Sequence, residues 1–340
     1  MWIPPIGVRR IVIDPLISLF ALASVVVSPV LFLAALIADT ITGGPPWRFL
    51  RMTRLFVVFM AAEVIGLVWA LGLWVASGFG YAMRRPRMVR ANYRLLSWWL
   101  RIMSREVQAA LGLQYVIPEL ERIDGPVIVF SRHAGPGDSI FIASVLLAHF
   151  DRYPRIVGKK ELEFSPLFDV LGHRLPMRFI RPHPKYREVA LEAVRDASSR
   201  LGDRDAFVLF PEGGNVTPKR RAHIIESLRA DGRIDEATYA ASLRNVLPPH
   251  PSGPLAAIAE SPNASVVFVA HTGTEDLITV PIIWRGIPFG REIHVNYWRV
   301  LPGAIPTSDA DRVAWLNEQW ALVDRWIGDH RVAGIAEETP

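Results

Sequence analysis

The chain has 340 residues, no cysteine, 38 Lys+Arg against 33 Asp+Glu, and a mean hydropathy of +0.23 with 51% apolar residues. Without cysteine there is no disulfide, no cysteine nucleophile and no thiolate-bound zinc. The length accommodates one domain of about 200–250 residues plus an appendage.

The first 83 residues account for the hydropathy. Residues 15–38 carry no charge, and residues 55–83 are interrupted only by Glu63. A membrane-spanning helix needs about 20 apolar residues, so residues 1–83 are expected to form a membrane-embedded helical hairpin. A signal peptide is disfavoured, because the first run exceeds a typical apolar core and a second run follows. Asp14, Pro15, Pro29 and Glu63 keep a buried or interfacial hairpin open as the alternative, since an ionisable group within a span is costly and usually has a partner or a role. Arg9 and Arg10 precede the first run, Arg84, Arg85, Arg87 and Arg90 follow the second, and Arg48, Arg51 and Arg54 lie between. The balance predicts both ends in the cytoplasm, the 40–49 loop outside, and the rest of the chain facing the cytoplasm.

Residues 84–105 hold seven arginines and no acid. At helical spacing Leu95, Trp98, Trp99 and Ile102 share a face, with Arg94, Arg101 and Arg105 on the other side. The pattern predicts a basic amphipathic helix over 84–115 lying on an anionic bilayer. Packing on the protein's own core is the alternative, and the adjoining apolar hairpin argues against nucleic acid as the partner.

Residues 116–331 alternate between strand and helix patterns. Strands are expected at 127–131, 155–158, 178–181, 206–210, 265–270 and 292–299, and helices at 139–150, 186–201 and 310–327. This alternation predicts an α/β domain with a mixed, largely parallel sheet flanked by helices. Residues 248–254, with four prolines, read as a rigid loop, and 332–340 as a flexible tail.

Two segments carry chemistry. His133-Ala-Gly-Pro-Gly-Asp138 follows the first strand and opens the first helix of this domain. A carboxylate beside an imidazole fixes its tautomer and stabilises the imidazolium, so His133 can act as a general base with Asp138 orienting it. Asp138 also suits a helix N-terminus. Phe210-Pro-Glu-Gly-Gly214 ends a second apolar strand. Glu212 there could accept backbone or ligand hydrogen bonds or pair with Arg181. Gly213 and Gly214 allow close backbone approach to a ligand. Arg181, at a strand end, offers a planar fork for phosphate. Lys159 and Lys160 are weaker candidates, and His173, Arg174, Arg178 and His183 are further cations. No Gly-x-Ser-x-Gly or His-Glu-x-x-His occurs, and Gly158-Lys159-Lys160 lacks the rest of a P-loop.

The two blocks, with Phe179-Ile-Arg-Pro182, Lys159-Lys-Glu-Leu162 and Pro166-Leu-Phe168 between them, resemble the glycerolipid acyltransferase family, the 1-acylglycerol-3-phosphate and lysophospholipid acyltransferases. The resemblance covers roughly residues 122–299. It implies acyl transfer to a lysophospholipid hydroxyl, with acyl-CoA or acyl carrier protein as co-substrate, no further cofactor and no metal. It implies His133 and Asp138 as the catalytic pair, and Arg181, Glu212, Gly213, Gly214 and Lys159 as the substrate-binding set. Where the family commonly has Ser or Asn, this chain has Gly135; where the third block usually continues with Thr or Ser, it has Gly214; and the late strand 266–270 runs into His271-Thr-Gly-Thr. Residues 247–254 and 292–299 look like the branch that acylates lysocardiolipin and lysophosphatidylinositol. Other readings are a different lipid or glycolipid acceptor, a non-catalytic membrane protein that keeps the fold, and a metal-dependent phosphoesterase.

Overall fold

The computed structural model describes residues 4–119, 123–135, 137–181, 184–275, 277 and 280–331. The expected tail at 332–340 and His183 lie outside the described residues.

Seven strands form one sheet: β1 Leu113–Val116, β2 Val127–Ser131, β3 Tyr153–Lys159, β4 Arg178–Ile180, β5 Asp205–Leu209, β6 Ser265–Thr272 and β7 Arg291–Val300. Their order is β1-β7-β6-β2-β5-β3-β4, and β6–β7 is the antiparallel pair. The central strand β2 is parallel to β5 on one side and β6 on the other. Ile128 and Phe130 enter one core, Val127 and Val129 the other. Burial on both faces is why β2 reads as an unbroken apolar run rather than an alternating one. The strand ends 131, 209 and 272 therefore share one edge of the sheet, the edge where open α/β sheets bind ligands.

The helices are α1 Ile6–Val8, continued by a π-helical Arg9–Ile13 into α2 Asp14–Val26, then α3 Ser28–Ile41, α4 Arg48–Ala76, α5 Pro86–Leu111, α6 Asp138–Ala148, α7 Pro166–Arg174, α8 Arg187–Ser198, α9 Pro218–Ala230, α10 Ile234–Ser242, α11 Ser252–Glu260, α12 Val280–Gly286 and α13 Asp309–His330. α8, α11 and α13 cover one face of the sheet. α6 covers the other, and α5 packs against α6. The expected strands and helices of this domain all form. Short β1 and the helices α7, α9, α10, α11 and α12 were not anticipated. The Pro-rich 248–254 segment is loop only as far as Pro251, because Ser252, Gly253 and Pro254 make the first turn of α11, where proline needs no amide partner.

The apolar N-terminal region differs most from expectation. Its first run is not one straight helix: α2 and α3 are bent by 64° at Val27, with Pro29 in the first turn of α3. Among the described residues, α4 alone is long and apolar enough to cross a membrane, and the α2–α3 pair qualifies only if the bend is counted as one span. α4 lies antiparallel along α5, as the pairs Arg54–Glu106 and Trp69–Trp98 show. The α5 face expected on a bilayer is consequently buried: Leu95, Leu96, Trp99, Leu100 and Met103 share a core with Ala62 and Ala70 of α4, Leu167 and Leu171 of α7 and Ala143 of α6. Arg94, Arg101 and Arg105 are left exposed on the far side. Gly112 ends α5 at φ +67°, where a Cβ would also come within 2.8 Å of Pro288, so both conformation and space call for glycine.

The module is bound to the α/β domain along α4 from Arg48 to Ala70. Arg48 donates to the carbonyls of Ile287 (2.9 Å) and Arg285 (3.1 Å), and Phe49 meets Trp284 edge-on. Midway, Glu63 accepts the hydroxyl of Ser165 (3.1 Å) and the amide of Leu167 (3.2 Å), satisfying the start of α7. Near the far end Arg174 donates to the Ala70 carbonyl at 2.8 Å. The end of the 40–49 loop thus rests on the α/β domain, which contradicts its expected place on the opposite side of a membrane.

A second tie is ionic. Arg9 lies 2.6 Å from Asp169 and 3.1 Å from Glu163, with all three side chains at most 5% exposed, and Arg10 reaches Asp169 from the surface. His173 lies alongside, its Nδ1 2.7 Å from the Asp169 carbonyl oxygen. Removing one member of a buried pair leaves an uncompensated charge. Arg9→Ala is expected to cost about 3–5 kcal/mol, and Arg10→Ala, whose side chain is 44% exposed, less than about 1 kcal/mol. Guanidinium unfolding in detergent micelles compares the two, and equal losses would contradict this reading of the cluster.

Candidate active site

β2 ends at Ser131, and after a six-residue loop the chain starts α6 with Asp138 as its first residue. The Asp138 carboxylate turns back into that loop. Its Oδ2 accepts the Gly135 amide at 2.7 Å and lies 3.2 Å from His133 Nδ1. With a carboxylate at Nδ1, the neutral ring carries its proton there and leaves Nε2 with a free lone pair. Asp138 is 3% exposed and His133 8%. Burial alone would raise the Asp138 carboxyl, but His271, the His133 ring and the Gly135 amide together hold it below its ordinary value. Phe210 lies against the His133 ring, with centroids 4.7 Å apart.

Glu212 takes up one of the alternatives the sequence left open, the acceptance of backbone amides. It is fully buried, and its two oxygens accept the amides of His133 (2.8 Å) and Leu247 (2.8 Å). It therefore holds the loop that carries His133 and does not pair with Arg181. Burial pushes its carboxyl up to about 7 against the pull of those two amides.

Arg181 and Lys159 share the sheet edge with His133 but stand away from it. Lys159 closes β3, two strands from β2, and Arg181 follows β4, three strands away. At about 4.8 Å per strand these offsets are roughly 10 and 14 Å. Among the other cations, Arg174 is taken by Ala70, Arg178 is paired with Asp196 and His173 leans on Asp169.

The two glycine departures differ in what a side chain there would meet, a backbone carbonyl at Gly135 and the movable end of an arginine at Gly214. A Cβ at Gly135 would lie 3.2 Å from the Leu277 carbonyl oxygen, and one at Gly214 would run into the Arg220 guanidinium. Arg220, which also donates to the Gly213 carbonyl at 3.2 Å, lies on the glycine turn; His250 abuts Gly213 and is anchored through its own amide to the Pro211 carbonyl. Burial, then the charges of Arg220, Arg187 and Arg233, push the His250 ring down. Sequence reading missed this basic surround, because Arg220 lies in a segment given no element and His250 in a proline-rich loop whose place beside Gly213 depends on a contact distant in sequence. The Gly135 and Gly213 amides are already used, by Asp138 and by the Phe210 carbonyl, which removes them as donors to a developing oxyanion.

The residue before the candidate base was also missed. Arg132 is 2% exposed and donates to the His271 carbonyl (2.6 Å), to Glu275 (2.5 Å) and to the Asn245 carbonyl (3.3 Å). Burial would raise Glu275, but the Arg132 charge prevails and holds it at about 2. An arginine following an apolar strand gave no signal that it would turn inward.

The raised Glu212 carboxyl has a definite sign. Below about 4.5, its unperturbed value, the group is protonated in folded and unfolded chains alike. As pH rises to about 7 the unfolded chain ionises freely while the folded one resists, so stability from this group falls and then levels off. The expected loss is roughly 3 kcal/mol. Denaturant titrations from pH 4.5 to 8 should show wild type losing this much relative to Glu212→Gln, and parallel curves for the two proteins would refute it.

Residues 112–280 match the family model described as Acyltransferase. No curated protein matches the chain.

Proposed function

The chain belongs to the acyltransferase family, whose reaction is acyl transfer to a lipid, and from that premise we propose that it moves a fatty acyl group from acyl-CoA or acyl carrier protein to the free hydroxyl of a lysophospholipid, 1-acyl-sn-glycerol-3-phosphate first among them. The observation that carries the proposal is the His133–Asp138 hydrogen bond on the β2–α6 loop, which lies within the matched segment.

His133 Nε2 takes the proton from the acceptor hydroxyl as its oxygen attacks the thioester carbonyl. Asp138 stabilises the imidazolium that forms at Nδ1. The C–O bond forms, the C–S bond breaks, and the imidazolium returns its proton to the departing thiolate. The amides of Gly137 and Gly214 are the candidates to hold the oxyanion between these steps. Arg220 beside the glycine turn, with Lys159 and Arg181 farther along the edge, supplies positive charge for the phosphates of donor and acceptor. An apolar cavity of about 40 Å³ lies between α6 and the sheet, lined by Val129, Phe141, Ile142, Val145 and Val267. It is far below the roughly 300–1,000 Å³ of ligand pockets, so an acyl chain entering there displaces side chains of α6.

The lipid acceptor fits the surface of the N-terminal module. Leu16, Leu19 and Phe20 of α2 and Val30, Leu33 and Ile37 of α3 are each more than half exposed, and exposed apolar side chains grouped on neighbouring helices mark lipid or partner contact. An open apolar cavity of about 490 Å³ between α3, α4 and α5 continues this surface through Leu36 and Trp47. α4 is held against the α/β domain from Arg48 to Ala70, so the module inserts from one side, into one leaflet, with the catalytic edge at the cytoplasmic surface. A membrane-impermeant label applied to sealed vesicles from outside should miss both the 40–49 loop and the α/β domain. Labelling of the loop alone would restore the spanning hairpin.

A different lipid or glycolipid acceptor is favoured by one observation, the replacement of the usual Thr or Ser by Gly214 with Arg220 filling its space. The test is acyl transfer by detergent-purified protein from labelled acyl-CoA or acyl carrier protein to a panel of lysophospholipids and glycolipids. Product from lysophosphatidic acid is expected, with kcat lowered about 10²–10⁴-fold by His133→Ala and within the same range by Asp138→Asn. No product from any lysolipid with either donor would remove the acceptor assignment, and an undiminished His133→Ala rate would remove the mechanism.

A further inference from the structure

Beyond the last ladder bond of β2 and β6, the two strand ends exchange side-chain-to-backbone hydrogen bonds. The Arg132 guanidinium donates to the His271 carbonyl at 2.6 Å, and His271 Nε2 lies 3.3 Å from the Arg132 carbonyl oxygen. Thr274 Oγ1 lies 3.3 Å from His271 Nδ1. A carbonyl can only accept, so Nε2 carries the ring proton and Nδ1 accepts from the Thr274 hydroxyl. Full burial keeps the ring neutral by pushing its protonation down. The same Nε2 lies 3.9 Å from Asp138 Oδ1, the carboxylate oxygen turned away from His133.

The Arg132–His133 peptide is thereby held from both ends. Its carbonyl receives His271, and its amide donates to Glu212 at 2.8 Å. Packing alone does not ask for imidazole at 271. The preceding residues 266–270 are all apolar and buried, and an apolar residue would avoid the cost of burying a polar ring. What histidine adds is a donor to the Arg132 carbonyl and a wall behind Asp138.

We propose that His271 is a positioning residue for the transfer step: it fixes the Arg132–His133 peptide and confines the Asp138 carboxylate so that Oδ2 stays on His133 Nδ1. The role rests on the acyl-transfer reading given above. It acts through Asp138 and His133 and requires no contact with substrate. Loss of His271 therefore lowers kcat and leaves KM unchanged, and the loss is coupled to Asp138.

The test uses the full chain in detergent, assayed with acyl-CoA and whichever lysolipid the wild type accepts. His271→Leu should lower kcat at least tenfold with KM within twofold. His271→Gln, whose amide nitrogen reaches the Arg132 carbonyl, should recover kcat to within about threefold of wild type. His271→Asn, one methylene shorter, should not, and this Gln–Asn contrast decides the matter if the Leu variant fails to fold. In an Asp138→Asn background, His271→Leu should cost less than twofold. Hydrogen exchange supplies a readout independent of activity: the 132–135 amides should exchange at least tenfold faster in the Leu or Asn variant, with β3 and β5 unchanged. Full kcat in the Leu variant, equal Gln and Asn activities, or the same tenfold loss in the Asp138→Asn background would overturn the proposal. A wild type that acylates nothing while 132–135 exchange responds as expected would sink the acyl-transfer reading and leave His271 holding the loop.

Discussion

At the C-terminal end of β2 the chain leaves the sheet, and its backbone groups lose the neighbouring strands that satisfied them. Buried amides and carbonyls there must find side-chain partners or carry a penalty of about 1–3 kcal/mol each. Glu212 supplies the acceptor for the His133 amide, Asp138 the acceptor for the Gly135 amide, and Arg132 binds the carbonyls that the 245 and 271 segments turn inward. Three charged side chains thus do the work that a strand ladder does elsewhere. They also put a titratable ring at a fixed place on the sheet edge. The geometry of His133 is a by-product of satisfying the loop that holds it.

The apolar N-terminal module is part of the same construction rather than a detachable anchor. Glu63, Arg9 and Arg48 each reach into the α/β domain, and the apolar face of α5 is sealed by α4. An ionisable residue in the middle of an apolar helix is costly in lipid, and here Glu63 meets the start of α7 instead of hydrocarbon. The same fact explains why the basic helix is not free to lie on a bilayer: its tryptophan face was already occupied by the preceding helix.

The sequence made the sheet, its flanking helices and the His133–Asp138 pair legible because each depends on local pattern. β2 and β5 are unbroken apolar runs, and the glycine loop with its acid marks a strand-to-helix turn. What stayed hidden depends on contacts distant in sequence. Glu212 was recognised as an important acid, but its partner, the Leu247 amide, is 35 residues away. Arg181 looked like the leading phosphate ligand beside His133 until strand order put it three strands away. α9 escaped notice because it buries no residue and so shows no apolar stripe. The seven arginines of 84–105 pointed to a surface helix, and the structure agrees about the arginines while burying the opposite face.

The grip of Glu212 on both His133 and Leu247 also bears on how this protein can change. The carboxylate closes residues 213–246 into an excursion, and Asp324 fastens its return through the amides of Arg244, Asn245 and Val246. Within it α9 packs mainly on α10 and buries nothing. Lengthening a closed loop is cheap, about 0.6 kcal/mol per doubling. The excursion is therefore evolvable ground: its helices can be extended, trimmed or recharged to suit a new acceptor while both stems, and the imidazole between them and the sheet, stay in register.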